Sequence, residues 1–220
     1  MAMRFDEEAS RKVEALYLTP DIVAQREAVL SALALRPGER VVDLGCGPGL
    51  LLAQMRELVG EQGELCGIDV SESMIALAKQ RCAAWSNVDI GPGDVTRLPC
   101  GDASFDAAVC TQVYEYVADV DMALSELCRV LKPGGRAVIV DTDWESCVWH
   151  SSDSARMRRV LEAWDLHCPH PHLPRSLRRR LQRAGLDDIR CAALTLLNAE
   201  FAADTYSFGM IDVIARSIFQ

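Results

Sequence analysis

Short apolar runs alternate with longer amphipathic stretches through most of the chain. Residues 40–44, 64–68, 88–90, 106–110, 136–141 and 189–197 read as strands, being apolar, compact and bounded by turn residues. Between them apolar side chains recur at helical spacing. Leu50, Leu51, Met55, Leu58 and Val59 form one such stripe, Met74, Ile75, Leu77, Ala78 and Cys82 a second, and Val120, Leu124, Leu127, Val130 and Leu131 a third. Strands separated by helix-length segments predict an α/β fold whose doubly wound, mostly parallel sheet carries helices on both faces. Lys132-Pro133-Gly134-Gly135 stops the third helix, because proline cannot continue it and glycine tolerates the turn. Upstream, Thr19-Pro20-Asp21 opens a helix to about Leu35, with proline at a first helical position. Beyond Asp141 the alternation loosens: residues 152–166, 173–184 and 206–219 read as helices, the first two separated by a Pro/His-rich link over 168–174.

Composition narrows the class without naming it. The 220 residues suit one domain, half hydrophobic and a quarter charged. No apolar run reaches the roughly 18 residues of a membrane span. Met1 to Ser10 carries three acids and no apolar stretch, so no signal peptide is read there and a cytoplasmic location is expected. The net charge of −9 disfavours nucleic acid as a partner, and Arg175, Arg178, Arg179, Arg180 and Arg183 read as a solvated helix face. Nine cysteines are scattered with no CxxC pair, so they read as reduced core thiols and no metal site is expected.

The chemistry concentrates at strand ends. Asp43-Leu44-Gly45-Cys46-Gly47-Pro48-Gly49 follows the first strand and opens a helix, where glycines let a ligand approach the backbone and free N–H groups point outward. A dinucleotide fingerprint needs G-x-G-x-x-G, and Leu50 stands in the third glycine's place. Gly67-Ile68-Asp69 ends the second strand, where a carboxylate faces the two hydroxyls of a ribose. Gly93-Asp94-Val95 follows the third, where a carboxylate can accept from an adenine amine. For either acid, helix capping is the simpler alternative.

With Leu98-Pro99, Ser104-Phe105-Asp106 and Arg129-Val130-Leu131-Lys132-Pro133-Gly134-Gly135, these motifs make residues 36–140 resemble the Rossmann-like class I methyltransferases that use S-adenosylmethionine (SAM), in the subgroup of quinone-biosynthesis and small-molecule enzymes. The resemblance implies a single domain over 1–220, with a helical cap over 1–36, a SAM-binding core over 36–141 and substrate-side elements over 142–220. It places Gly45, Cys46 and Gly47 along the methionine and ribose of SAM, and Asp43 on the loop or the ammonium. Asp69 and Val70 would bind the ribose side, Met74 would pack on adenine, Asp94 and Val95 would read its edge, and Thr111 and Gln112 would meet the amino-acid end. Tyr17 would close over SAM from the N-terminal helix. Met74 equally suits an ordinary core position.

Transfer of a methyl group to a small or medium organic acceptor, on carbon, oxygen or nitrogen, would leave S-adenosylhomocysteine (SAH). It requires alignment, exclusion of water and, for most nucleophiles, a base. Tyr114, Asp143 and Trp144 are the candidates beside the methyl, with Glu115 and the four histidines as further bases. A pocket is expected among Tyr17, Tyr114, Trp144 and the 168–174 link. Nucleic-acid amino-methyltransferases of this fold carry Asn/Asp-Pro-Pro-aromatic where this chain reads Thr111-Gln112-Val113-Tyr114. Two rivals stay open: a metal-dependent O-methyltransferase using Asp141 and Asp143, and a non-catalytic SAM-binding protein.

The resembled family finishes with a seventh, antiparallel strand, and no strand-length run follows residue 197. Phe201, Tyr206, Phe208, Met210, Ile211, Ile214, Ile218 and Phe219 are too apolar to lie in water. A chain shortened at this end is expected, its last helix packing on the substrate side or on a second copy in a homodimer.

Overall fold

The computed structural model describes residues 7–218; most of the stretch read for a signal peptide, and Phe219, lie outside them. Five strands form one parallel sheet: β1 (Arg40–Leu44), β2 (Glu64–Asp69), β3 (Val88–Pro92), β4 (Phe105–Thr111) and β5 (Leu131–Val140), in the order β3-β2-β1-β4-β5. The chain first builds outward from β1 to β3, then returns to the other side of β1 with β4. The helices between strands are α3 (Leu50–Val59), α4 (Glu72–Cys82) and α5 (Val120–Val130), preceded by α1 (Glu7–Tyr17) and α2 (Pro20–Leu33).

Alternation along each strand divides the core in two. Val42, Leu44, Ala108 and Cys110 face α5 through Leu124 and Leu127. Val41, Leu65, Ala107 and Val109 face α2, α3 and α4 through Leu33, Leu52, Met55 and Ala78. A central parallel strand is buried on both faces, which explains why residues 41–44 are a continuous apolar run broken only by Asp43. The Pro-Gly-Gly segment bulges: Phe105 pairs with Leu131, Ala107 already with Arg136, and residues 132–135 loop out of register. Arg136 then ties β5 to α2, reaching the Glu39 carboxylate at 2.7 and 2.9 Å and the Leu33 and Ala34 carbonyls.

Three further helices follow the sheet: α6 (Ser154–Trp164), α7 (Pro174–Ala184) and α8 (Tyr206–Ile218). Asp153 caps α6, its carboxylate accepting from Arg156 N at 2.8 Å. α7 carries Leu181 into the core on the α5 side. α8 buries Met210 and Ile214 against Trp144, Trp164 and Cys168, a third cluster at the end of the sheet where β1 and β4 finish. It also meets α1 closely, since a Cβ on Gly209 would stand 2.0 Å from Leu16 Cδ2. The last helix therefore packs on α1 and on the Trp144 and Trp164 cluster at that end of the sheet.

One predicted element does not form. Residues 189–197 pair with no strand, and most of their side chains face solvent, Leu194 and Leu197 included. Apolar, β-favouring residues stay in a strand only where a neighbour takes up their backbone N–H and C=O groups. No such neighbour stands beside this segment among the described residues, and β5 closes the sheet. Neither a sixth nor a seventh strand is present among them.

Leu127 is fully enclosed between α5 and the sheet. Leu127→Ala is expected to cost about 2–5 kcal/mol of folding stability, read from urea unfolding, because the cavity cannot be refilled from either side.

Candidate functional site

The parallel strands all deliver their carboxyl ends to one edge, and β1 diverges there from β2 and β4. That crevice is where open α/β sheets take ligands. Gly45 and Gly47 turn the chain at its mouth with φ of +73° and +51°, a region open to glycine and strained for other residues. A Cβ on Gly45 would lie 2.2 Å from Val113 Cγ2, whereas a Cβ on Gly47 would meet nothing within 4 Å. The loop is thus pressed against the β4 side at Gly45 and open at Gly47.

Asp69 organises this loop from the end of β2. Its Oδ2 accepts from Gly47 N at 2.8 Å, and its Oδ1 accepts from Ser71 N at 2.8 Å. Ser71, rather than Asp69, is the cap of α4, accepting from Met74 N at 3.4 Å. Each carboxylate oxygen has a second lone pair for a further donor. Val70 beside it is 69% exposed, a large apolar side chain left facing outward at the crevice, while Met74 and Val95 are buried. Asp94 is exposed and accepts from Thr96 N and Oγ at 2.8 and 2.7 Å, a turn cap of its own.

Three carboxylates lie behind the loop, Asp43 and Glu115 buried and Asp141 half-buried. Asp43 is 1% exposed with Oδ1 unpartnered, and burial, helped by the Asp69 charge, lifts its pKa to about 8. Cys46, buried on the loop, has its thiol pushed well up by burial. Asp141, just past β5, accepts from Val113 N at 3.1 Å and Glu115 N at 3.3 Å; burial and the Glu115 charge raise its pKa strongly. Between them Gln112 sits at φ +57°, its N–H donating to the Val140 carbonyl at 2.7 Å and its Oε1 accepting from Thr142 Oγ at 2.9 Å. A non-glycine residue held in that conformation stores strain that the paired strand ends maintain. Thr111 precedes it at the end of β4.

Glu115 is the third carboxylate. It is fully buried, and burial raises its pKa to about 7 against the pull of Trp144 and Thr142. Oε2 accepts from Trp144 Nε1 at 3.1 Å and Thr142 N at 3.3 Å, and Oε1 has no partner. The 168–174 link lies against it: His170 N donates to the Glu115 carbonyl at 3.0 Å, and Trp144 N to the Pro171 carbonyl at 2.9 Å. Tyr17, at the end of α1, has its hydroxyl raised to about 12 by burial, then by Asp69 and Glu115. Its phenol therefore spans the fields of the glycine-loop acid and of Glu115.

Tyr17, Trp144 and the link share one end of the fold with the glycine loop. Tyr114 does not join them: its side chain is wholly inside the α5-side core, among residues such as Leu124 and Leu127, because the turn after β4 points residue 114 inward and residue 115 toward the crevice. Trp144 is a buried donor to Glu115 in edge contact with Trp164 at 5.4 Å between ring centroids. Asp143 is committed to Arg175 at 2.8 Å and His172 at 3.4 Å. Asp141 and Asp143 thus hold different partners. His167 stacks on Trp164 at 3.7 Å between ring centroids, and His170 Nε2 lies 3.2 Å from the Ala118 carbonyl oxygen. No group of three or more His, Cys, Asp or Glu side chains arranged to hold a metal is found among the described residues.

Sequence reasoning missed Tyr206 and Asp21. The Asp21 carboxylate at the start of α2 accepts from Tyr206 N at 2.9 and 3.2 Å, capping α8 across the whole chain. Nothing local in either stretch signals that contact. The larger groove at the opposite end of the sheet, about 660 Å³ and lined by Arg40, Glu64, Asn87 and Phe105, lies away from this chemistry.

The comparisons with known proteins agree on the fold. A sequence-family model described as a methyltransferase domain matches residues 35–185. A 37.1 kDa protein of transposon Tn4556 from Streptomyces fradiae is 42% identical over 121 residues, covering 55% of this chain and 35% of that protein. Demethylmenaquinone methyltransferase of Staphylococcus aureus is 38% identical over 117 residues, covering 53% and 48%. The chain thus spans about half or less of the length of these curated relatives. A SAM-dependent methyltransferase from Aquifex aeolicus superposes with TM-score 0.63 at 24% identity, over 85% of this chain and 92% of that one. Phosphoethanolamine N-methyltransferase 2 of Haemonchus contortus, solved with SAM, gives 0.69 at 21%, over 85% and 43%.

Asp43 and Glu115 bind a proton more tightly in the fold than in the unfolded chain. Their contribution to stability is therefore complete below the ordinary carboxylate range and is lost as pH rises through about 7 and 8. His167, held neutral by burial, acts the other way but is spent near its ordinary 6.5. The urea midpoint is expected to fall between pH 6.5 and 8.5, and Asp43→Asn to flatten the fall. A midpoint that holds level across that range in the unaltered protein contradicts the assignment.

Proposed function

The chain belongs to the methyltransferase-domain family, and from that premise we propose that it transfers a methyl group from SAM to a small or medium organic acceptor, leaving SAH. The observation that carries the reading is Asp69, which holds Gly47 N on one oxygen and Ser71 N on the other and keeps a further lone pair on each.

The residues present fit the donor. The buried, unpartnered oxygen of Asp43 suits a cationic ammonium, directly or through water. Gly45, Cys46 and Gly47 line the methionine and ribose, and the open space at Gly47 is what such a ligand needs. Asp69 accepts from the ribose hydroxyls, Val70 offers its exposed side chain to that end, and Met74 backs the adenine. Asp94 and Val95 read the adenine edge, Thr111 and Gln112 meet the amino-acid end, and Tyr17 closes the top. Bound there, the sulfonium supplies an electrophilic methyl whose bond to sulfur breaks as the bond to the acceptor forms. The protein's own task is to align, to exclude water and to take a proton. Trp144 acts by orienting Glu115, and Asp143 by fixing the segment after β5 through Arg175. Tyr114 serves the core.

The acidic net charge favours a small molecule over nucleic acid, and no helix of the described residues is long and apolar enough to cross a membrane. A cytoplasmic location, expected from the sequence, is part of this proposal. Ile211 and Phe201, exposed on and beside α8, favour association as a homodimer.

Asp69→Ala is expected to weaken SAM by about 1.5–3 kcal/mol, the range for hydrogen bonds to a charged group, measured by calorimetry. Asp69→Asn should fall between. Gly47→Val should abolish binding, since it fills the open space and cannot hold φ +51° without strain. A folded Asp69→Ala protein with unchanged affinity sinks the donor site. Transfer of tritium from methyl-labelled SAM into a metabolite extract reads the activity itself.

A further inference from the structure

Beyond the donor site lies a carboxylate with no partner for one of its oxygens. Glu115 Oε1 is unpaired in a side chain with no accessible surface. A buried acceptor left empty costs about 1–3 kcal/mol and marks a place where a ligand donor belongs. Three phenols on three different elements come within its field, and two of them, Tyr116 and Tyr206, pack on the cluster that holds its partner Trp144. Tyr17 comes from α1, Tyr206 from α8 and Tyr116 from the turn after β4, and the Glu115 charge acts on all three hydroxyls. Tyr116 stands near enough to help hold that charge, but its hydroxyl lies 3.4 Å from His167 Nε2. The carboxylates acting on these phenols are Glu115, Asp69 and Asp21. Among the described residues, the groups that act on Glu115 and the three hydroxyls are acids, phenols, thiols and hydrogen-bond donors, and the Arg26 guanidinium bonds the Tyr17 backbone carbonyl and Gln54 Oε1.

We propose that Glu115 is the acceptor-binding carboxylate and that the acceptor is an organic amine, held between Glu115 Oε1 and the rings of Tyr17, Tyr116 and Tyr206. The proposal rests on the methyl-transfer reading. Aromatic faces and a desolvated carboxylate attract an ammonium group. An anionic acceptor would be buried among acids with nothing to compensate its charge. The same oxygen receives the proton: the N–H bond breaks, an O–H bond forms on Oε1, and the nitrogen keeps its electron pair for the methyl carbon. No oxidant or further reactant is required. A carboxyl poised near neutrality matches the work of a general base at cellular pH.

Choline and its uncharged isostere, 3,3-dimethyl-1-butanol, separate this from the alternatives. Each is titrated into the protein saturated with SAH, after SAH binding has been measured by itself. Choline is expected to bind at least about tenfold more tightly than the isostere, a difference of about 1.4 kcal/mol. Glu115→Gln keeps an acceptor for Trp144 Nε1 and is expected to erase that preference while leaving SAH affinity unchanged. A wild-type protein that binds SAH but does not favour choline overturns the amine assignment alone, and this comparison needs no variant. A folded Glu115→Gln protein that retains the preference overturns the role of Glu115. Failure of SAH to bind overturns the donor reading and this proposal with it.

Discussion

The burial of β1 between β2 and β4 is the constraint on which the rest depends. A strand hydrogen-bonded on both sides and covered on both faces is fixed in register, and its neighbours are fixed with it. Once β2 and β4 leave β1 on opposite sides, the segments following them part and leave a crevice. The glycine loop, Asp69 and Gln112 stand around that crevice because their strands end there. The backbone ties reinforce it: Gly45 and Cys46 N–H groups both donate to the Ile68 carbonyl, at 2.7 and 3.0 Å, and Gln112 N donates to Val140.

The second organising force is electrostatic cost. Asp43, Asp141 and Glu115 are withdrawn from water at one end of a sheet, each with an oxygen that no protein donor satisfies. Burial raises all three, and the Asp69 charge adds to it at Asp43 and the Glu115 charge at Asp141. A core would not retain such groups for stability, since apolar side chains of similar size would serve better. They are partly held by backbone amides of the turn after β4 and by Trp144, which aim them without neutralising them. A ligand carrying positive charge relieves the arrangement.

The third feature is the covering of the crevice by distant parts of the chain. α8 is capped by Asp21, packed at Gly209 on Leu16, and anchored by Met210 and Ile214 on the Trp144 and Trp164 rings. It does the work of enclosure that the expected sixth strand would not have done, since a strand extends the sheet and leaves its carboxyl edge open. The cost falls on residues 189–197, which have apolar character and no strand to join.

The sequence by itself determined the five parallel strands, the helices between them and the glycine loop and acids at the strand ends. Those depend on short-range patterns: alternation within residues 40–44 and 106–110, helical stripes between strands, and glycines and acids at fixed distances after strand ends. Each signal is local, and parallel packing then has few ways to arrange the pieces. Tertiary structure decided what local pattern cannot encode. Residues 189–197 carry strand character, but pairing is a property of two segments, and the second is missing among those described. Tyr114 and Glu115 are adjacent, and only the turn that follows β4 settles that the phenol enters the core while the carboxylate faces the crevice. Tyr206 reaches Asp21 and comes within the field of Glu115 from the far end of the chain, through packing of α8 on α1 and α6, and no spacing in the sequence records contacts made at such separation.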